Sequence, residues 1–97
     1  NFKFFFFFVL NKNEDDYTII DIRNPAEVKS NRIFEHAIHI PLYELRERTN
    51  EIPLHKPILV HCAGGFRSAV GSSIIKSLIS TDTEVYDLST SVKNFQS

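Results

Sequence analysis

The stretch Val60-His61-Cys62-Ala63-Gly64-Gly65-Phe66-Arg67-Ser68 decides the fold. With Ile58 and Leu59 ahead of it, its opening is apolar enough to end a buried parallel strand. From Ser68 on, Val70, Ile74, Ile75, Leu78 and Ile79 recur at helical spacing, with Ser72, Ser73, Lys76 and Ser77 mainly between them. A helix is therefore expected there. The loop between strand and helix begins with the chain's single cysteine and holds two of its three glycines.

Glycines in such a loop let successive backbone N–H groups converge above the cysteine sulfur. The helix N-terminus behind them carries partial positive charge, and Arg67 adds a full one at the loop's far end. A thiol in that setting is expected to have a lowered pKa and to be a nucleophilic thiolate at neutral pH. The plainer reading makes Cys62 a small buried hydrophobe, as isolated cysteines usually are. Strand, glycines, arginine and helix in the right order weigh against it. Arg67 could meet an anion directly, or turn inward to pin the loop on a carboxylate such as Asp21, since a bidentate guanidinium suits both jobs. His61 could orient the thiolate or turn into the core, the commoner fate of a residue on a buried strand.

Upstream, Tyr17-Thr18-Ile19-Ile20-Asp21-Ile22 reads as a central strand. Asn24-Pro25 closes it and opens a short helix, capped by Asn24, through Ala26, Glu27 and Val28 towards Ser30-Asn31. Arg32 to Glu35 is a loop, and Ala37-Ile38-His39-Ile40 a short strand ended by Pro41. Leu42, Leu45 and Ile52 make a helical stripe beside a charged face of Glu44, Arg46, Glu47, Arg48 and Glu51. Downstream, Ser80 to Thr83 turns into a last strand, Glu84 to Leu88, and the serine- and threonine-rich tail reads as loop before any helical start at Val92 to Phe95. Phe4 to Phe8, with Val9 and Leu10, form an apolar run too short to span a membrane and without a signal-peptide cleavage site. It is expected to pack against the domain, because exposed it would be an aggregation hazard.

Strands and helices alternate, so the expected architecture is α/β: an open, mainly parallel sheet of about four to five strands with helices on both faces and right-handed crossovers. Such sheets bind ligands at the carboxyl ends of their strands. Cys62 sits at one such end, with Asp21 and Arg23 at another on the same rim. The 97 residues fit one domain, 1–97, with an atypical segment 1–16 and a recognisable core 17–88. A net charge of -1 offers no broad basic surface, so neither nucleic acid nor a membrane is an expected partner. One cysteine excludes an internal disulfide or a multi-thiolate metal site and suits a reducing cytoplasm. His36, His39 and His55 share no metal-ligand spacing with it, so no metal is expected. The lack of an initial Met suggests a fragment or a processed chain.

Loop size separates two chemistries. Cysteine-dependent phosphatases place five residues between Cys and Arg, whereas here only Ala63, Gly64, Gly65 and Phe66 intervene. The shorter loop resembles the active-site loop of the rhodanese family, sulfurtransferases whose cysteine carries a sulfane sulfur as a persulfide. His61-Cys62-Ala63-Gly64-Gly65-Phe66-Arg67-Ser68 is similar to the family signature, and Asp21-Ile22-Arg23 to its Asp-x-Arg strand end. Pro25-Ala26-Glu27 resembles its Pro-x-Glu opening, Ala37 to Pro41 its Ile-Pro segment and Leu42 to Arg48 its Leu-rich helix, so the resemblance covers roughly Tyr17 to Leu88. Two stretches depart from it. Arg32 to Ala37 lacks both glycines of the usual Gly-His-Ile-x-Gly-Ala, and Ser89-Thr90-Ser91 stands where a Gly-Gly pair is usual, with Phe95 as the aromatic that follows.

The resemblance implies Cys62 as catalytic nucleophile, with Ala63, Gly64, Gly65, Phe66, Arg67 and Ser68 around the substrate. It implies Asp21, Arg23 and His61 as supporting residues, and no cofactor. The implied partners are a small sulfur donor, whether thiosulfate, persulfide or polysulfide, and a thiol or cyanide acceptor. With no lysine or second arginine inside the loop, thiosulfate is expected to be the poorer donor. The Cys-Ala-Gly-Gly-aromatic-Arg-Ser subtype looks like the modules appended to metallo-beta-lactamase-fold hydrolases, so a fused or associated metallo-hydrolase domain is a further expected partner. The alternatives are a non-catalytic regulatory module of a larger enzyme and, against the loop size, a cysteine-based phosphatase or arsenate reductase.

Overall fold

A computed structural model describes residues 14–63 and 66–88. The Phe-rich segment, Gly64, Gly65 and the tail with Ser89, Thr90, Ser91, Val92 and Phe95 lie outside the described residues. Among the described residues four strands, β1 (Thr18–Asp21), β2 (Ile38–His39), β3 (Ile58–His61) and β4 (Val85–Asp87), form one parallel sheet in the order β2-β1-β3-β4. Three α-helices among the described residues alternate with them: α1 (Pro25–Ser30), α2 (Leu45–Arg48) and α3 (Phe66–Leu78). The open parallel α/β sheet expected from the alternation is the one that forms.

Successive side chains on a strand point to opposite faces, and the two central strands divide accordingly. Ile20, Ile22, Ile58, Val60 and Cys62 pack with Leu45, Ile52, Ile74 and Ile75 on one face. Ile19 and Leu59 pack with Phe34 and Leu88 on the other. Helices α2 and α3 supply the first core. The described cover of the second comes from the loop after α1, where Phe34, 3% exposed, is flanked by Ile33 and Ala37. The segment without the usual glycines thus carries its own apolar plug.

Local sequence explains the connections. Pro25 starts α1 with a φ suited to a first helical turn, and Glu27 accepts the Asn24 backbone N–H at 2.9 Å, half of a capping box. The stripe from Leu42 to Ile52 is not one helix but a 3-10 turn (Leu42–Glu44), α2 and a second 3-10 turn (Thr49–Glu51). Leu45 and Ile52 are its buried anchors, and Arg48 ties it together by pairing with Glu44 at 2.8 Å and Glu51 at 2.9 Å. Helix α3 begins at Phe66, two residues earlier than its pattern suggests, and turns Ser68, Gly71, Ile74 and Ile75 inward. Val70 and Leu78, expected on the apolar stripe, are 48% and 47% exposed. Gly71 takes a place on the inward face instead. A Cβ there would lie 2.8 Å from Ile22 Cδ1 and 3.5 Å from Leu45 Cδ2 and Val60 Cγ1, so the missing side chain lets α3 settle directly on the sheet.

The chain runs from β1 to β2 on one side and then crosses to β3 on the other, so the carboxyl ends of β1 and β3 form the topological switch point. Backbone bonds from Ile22 N–H to His61 O (3.1 Å) and from Leu88 N–H to Val60 O (2.9 Å) carry the pairing up to that edge.

Candidate active site

Cys62 is the first residue beyond β3, at the switch point, and is fully buried. Its Sγ accepts the backbone N–H of Ser68 at 3.3 Å. Ser68 lies in the first turn of α3, whose N–H groups have no partner within the helix, so the sulfur takes up a donor that the helix leaves over. Ser68 is itself buried, and its hydroxyl donates to Asp87 Oδ1 at 2.5 Å. The end of β4 therefore holds the residue whose N–H faces the thiol. Asp87 was not legible as a site residue; its one signal is its position at the end of the strand that pairs with β3.

Arg67 turns inward, one of the two roles open to it, but its carboxylate is Glu27 rather than Asp21. Nη1 donates to Glu27 Oε1 at 2.6 Å and Nη2 to Oε2 at 2.9 Å, and each side chain is 33% exposed. Those hydrogen bonds hold the Glu27 carboxyl down at about 2 and raise the Arg67 guanidinium above its ordinary value. Asp21 is already occupied. Arg23 Nε donates to its Oδ1 at 3.0 Å and Nη2 to its Oδ2 at 2.7 Å, and the same Nη2 donates to the Asn31 carbonyl at 2.9 Å. Burial alone would raise the Asp21 carboxyl, but the bonds from Arg23 outweigh it and keep the group below its ordinary value.

His61 pairs in register with Asp21 and shares its face of the sheet, opposite to the one Cys62 joins. Its ring meets Phe34 edge-on with centroids 4.9 Å apart. Nε2 stands 3.6 Å from Asp21 Oδ2, outside hydrogen-bond reach, and neither ring nitrogen finds a partner among the described residues. Burial pushes the imidazole down to about 4, so it is neutral at pH 7 and Arg23 is the counter-charge of Asp21. Asp21, Arg23 and His61 thus form one buried cluster, on the far side of the sheet from the thiol.

Of the remaining candidates, Ala63 and Phe66 are exposed, Phe66 by 89%, and Gly64 and Gly65 lie outside the described residues. Among the described residues no three His, Cys, Asp or Glu side chains converge closely enough to hold a metal ion. None of the described helices is long and apolar enough to cross a membrane. A cleft lined by Tyr17, Thr18, His36, Pro53, His55 and Lys56 opens at the amino-terminal end of β1, the wrong end of the sheet for Cys62.

Fold and site together define an α/β domain organised around one thiol at the switch point of a parallel sheet. The chain belongs to the rhodanese-like domain family, whose model matches residues 8–97. A sulfurtransferase of Allochromatium vinosum is 33% identical over 54 residues, which is 56% of this chain and 50% of that protein. The chain spans about half the length of the curated relatives it matches. A rhodanese-related protein from Thermoplasma volcanium superposes with a TM-score of 0.75 at 30% identity, covering 90% of this chain and 83% of that one. An NAD-dependent persulfide reductase from A. fulgidus superposes at 0.66 with 39% identity, covering 82% of this chain and 14% of that one.

Proposed function

We propose that the domain is a sulfurtransferase that carries a sulfane sulfur on Cys62 as a persulfide. The observation that carries this reading is the Ser68 N–H aimed at Sγ from the first turn of α3, which stabilises negative charge on the sulfur before and after it accepts a second one. The Cys62 thiolate attacks the outer sulfur of the donor and forms a new S–S bond. The donor's own S–S bond breaks, and its electron pair leaves with sulfite when the donor is thiosulfate or with a thiolate when it is a persulfide. An acceptor thiolate or cyanide then attacks the outer sulfur of the Cys62 persulfide and regenerates the thiolate. No proton transfer is required, because each leaving group is a stable anion, which fits the placement of His61 and Asp21 away from the sulfur. A single thiol on this duty suits the reducing conditions of the cytoplasm.

A second reading, a regulatory module without turnover, is favoured by one observation: Cys62 is 0% exposed. Intact mass decides between the two. After incubation with thiosulfate, and separately with a persulfide, the chain is expected to gain one sulfur atom that cyanide or a thiol removes, and Cys62→Ser to gain none. No adduct with either donor on a folded, reduced chain would leave the regulatory reading. Turnover of an aryl phosphate would overturn both in favour of a phosphatase.

A further inference from the structure

Two arginines stand at the carboxyl edge of β1 and β3, and both are closed. Arg23 is buried on Asp21 and the Asn31 carbonyl. Arg67 is the only cation in the stretch from Cys62 to Ser68, and Glu27 takes two of its N–H groups in a fork. Glu27 is no casual surface partner. Its Oε1 also accepts the Asn24 N–H at 2.9 Å, so the first turn of α1 holds the carboxylate in place. The pair is partly exposed, as a group must be if it is to act on an entering donor. The Arg67 charge also interacts with that of Cys62, so a carboxylate that neutralises it alters the field at the sulfur.

We infer that Glu27 is a specificity-determining residue: by closing Arg67 it turns the site away from dianionic donors and towards sulfane sulfur on singly charged carriers, small organic persulfides. The inference rests on the sulfur-transfer reading above. Thiosulfate must bring two negative charges to a thiolate, and the attack passes through a state in which three negative charges share one small volume. The reaction is balanced, thiolate plus thiosulfate giving persulfide plus sulfite, but it needs an uncompensated cation to hold the dianion. A persulfide brings one charge and leaves as one thiolate, so the Ser68 amide and the helix terminus suffice for it. The Glu27 carboxylate stays ionised throughout the pH range of such reactions, so the closure is constant and no pH switch.

Glu27→Gln tests this, since glutamine keeps an acceptor for Asn24 N–H and serves a capping box as well as glutamate does. Removing one unit of charge from the neighbourhood of a dianion is expected to raise kcat/KM for sodium thiosulfate about tenfold or more, and to leave that for cysteine persulfide within about twofold. The gain should shrink at high salt. Glu27→Asp, which keeps the charge, is expected to keep the wild-type ratio of the two donors. An unchanged ratio in Glu27→Gln, or an equal change in Glu27→Asp, overturns the role of Glu27 while leaving sulfur transfer standing. A wild-type chain that uses thiosulfate with the higher kcat/KM also overturns it, whether or not the variants fold. A wild-type chain that takes sulfur from neither donor overturns the sulfur-transfer reading, and the inference falls with it.

Discussion

At the scale of single residues, the thiol is set by a relay of two hydrogen bonds, Asp87 to Ser68 and Ser68 to Cys62. Ser68→Ala breaks the first by removing the hydroxyl that donates to the half-buried Asp87 carboxylate, which costs about 1 kcal/mol of stability. It also loosens the residue that presents its N–H to the sulfur, so alkylation of Cys62 by iodoacetamide at pH 6 should slow severalfold. Ser68→Thr, with its hydroxyl intact, should restore the rate; if Ser68→Ala alkylates as fast as wild type, the helix alone orients the thiol. The sequence showed Cys62, Arg67 and Ser68 as neighbours because they lie on one short loop. It could not show Glu27 or Asp87, which reach them only through the fold. Asp21 looked the natural partner for Arg67 because both end at one rim, yet Arg23 lies two residues from Asp21 and forks onto it first.

At the scale of elements, Gly71 shows how a helix meets the sheet. Gly71→Leu should cost about 1–3 kcal/mol by overpacking against Val60 and Leu45, read as a fall in the urea midpoint. Gly71→Ala should cost far less: the nearest atom is the tip of Ile22, and alanine gains about 1 kcal/mol of helix propensity over glycine. Equal losses would mean that the close approach does not govern the packing of α3. The periodicity identified the helix and, in Ile74, Ile75 and Ile79, much of its inward face, but it also put Val70 and Leu78 there and missed Gly71. Hydrophobic spacing counts side chains, and here one close approach to the sheet is made at a residue without one. The stripe from Leu42 to Ile52 was legible as helical but not as broken, since Leu45 and Ile52 fix its two anchors without fixing the turns between them.

At the scale of the whole molecule, acid stability has a readable source. His61 is buried and neutral with its pKa at about 4, against about 6.5 in an unfolded chain. Between those two values the unfolded chain binds more protons, so stability falls as pH drops through the window, by roughly 3 kcal/mol in all. Burial is the largest influence on the ring; the Asp21 charge works against it, while Arg23 and Arg32 act in the same direction as burial. Below that window Glu27 adds its own loss, since a carboxyl held down at about 2 gives up its stabilising pairing as pH falls from its unfolded value towards 2. His61→Leu should flatten the dependence of the urea midpoint on pH between 6.5 and 4; an unchanged slope would assign it to other groups. The alternation of strand and helix announced an open parallel sheet, whereas the order β2-β1-β3-β4 was beyond reach, because β2 pairs over only two residues and its neighbour is chosen by packing.

The parallel pairing of β1 with β3 also governs when the thiol matures. Glu27 and Arg67 are forty residues apart in sequence, and a contact of that range forms only after the cost of closing the chain between has been met. On a ribosome, Cys62 is made long after β1 and well before Asp87, so the newborn sulfur does not yet have its amide donor fixed. For that interval the residue that presents its amide to the sulfur lacks the carboxylate that holds it, and the arrival of β4 completes the relay.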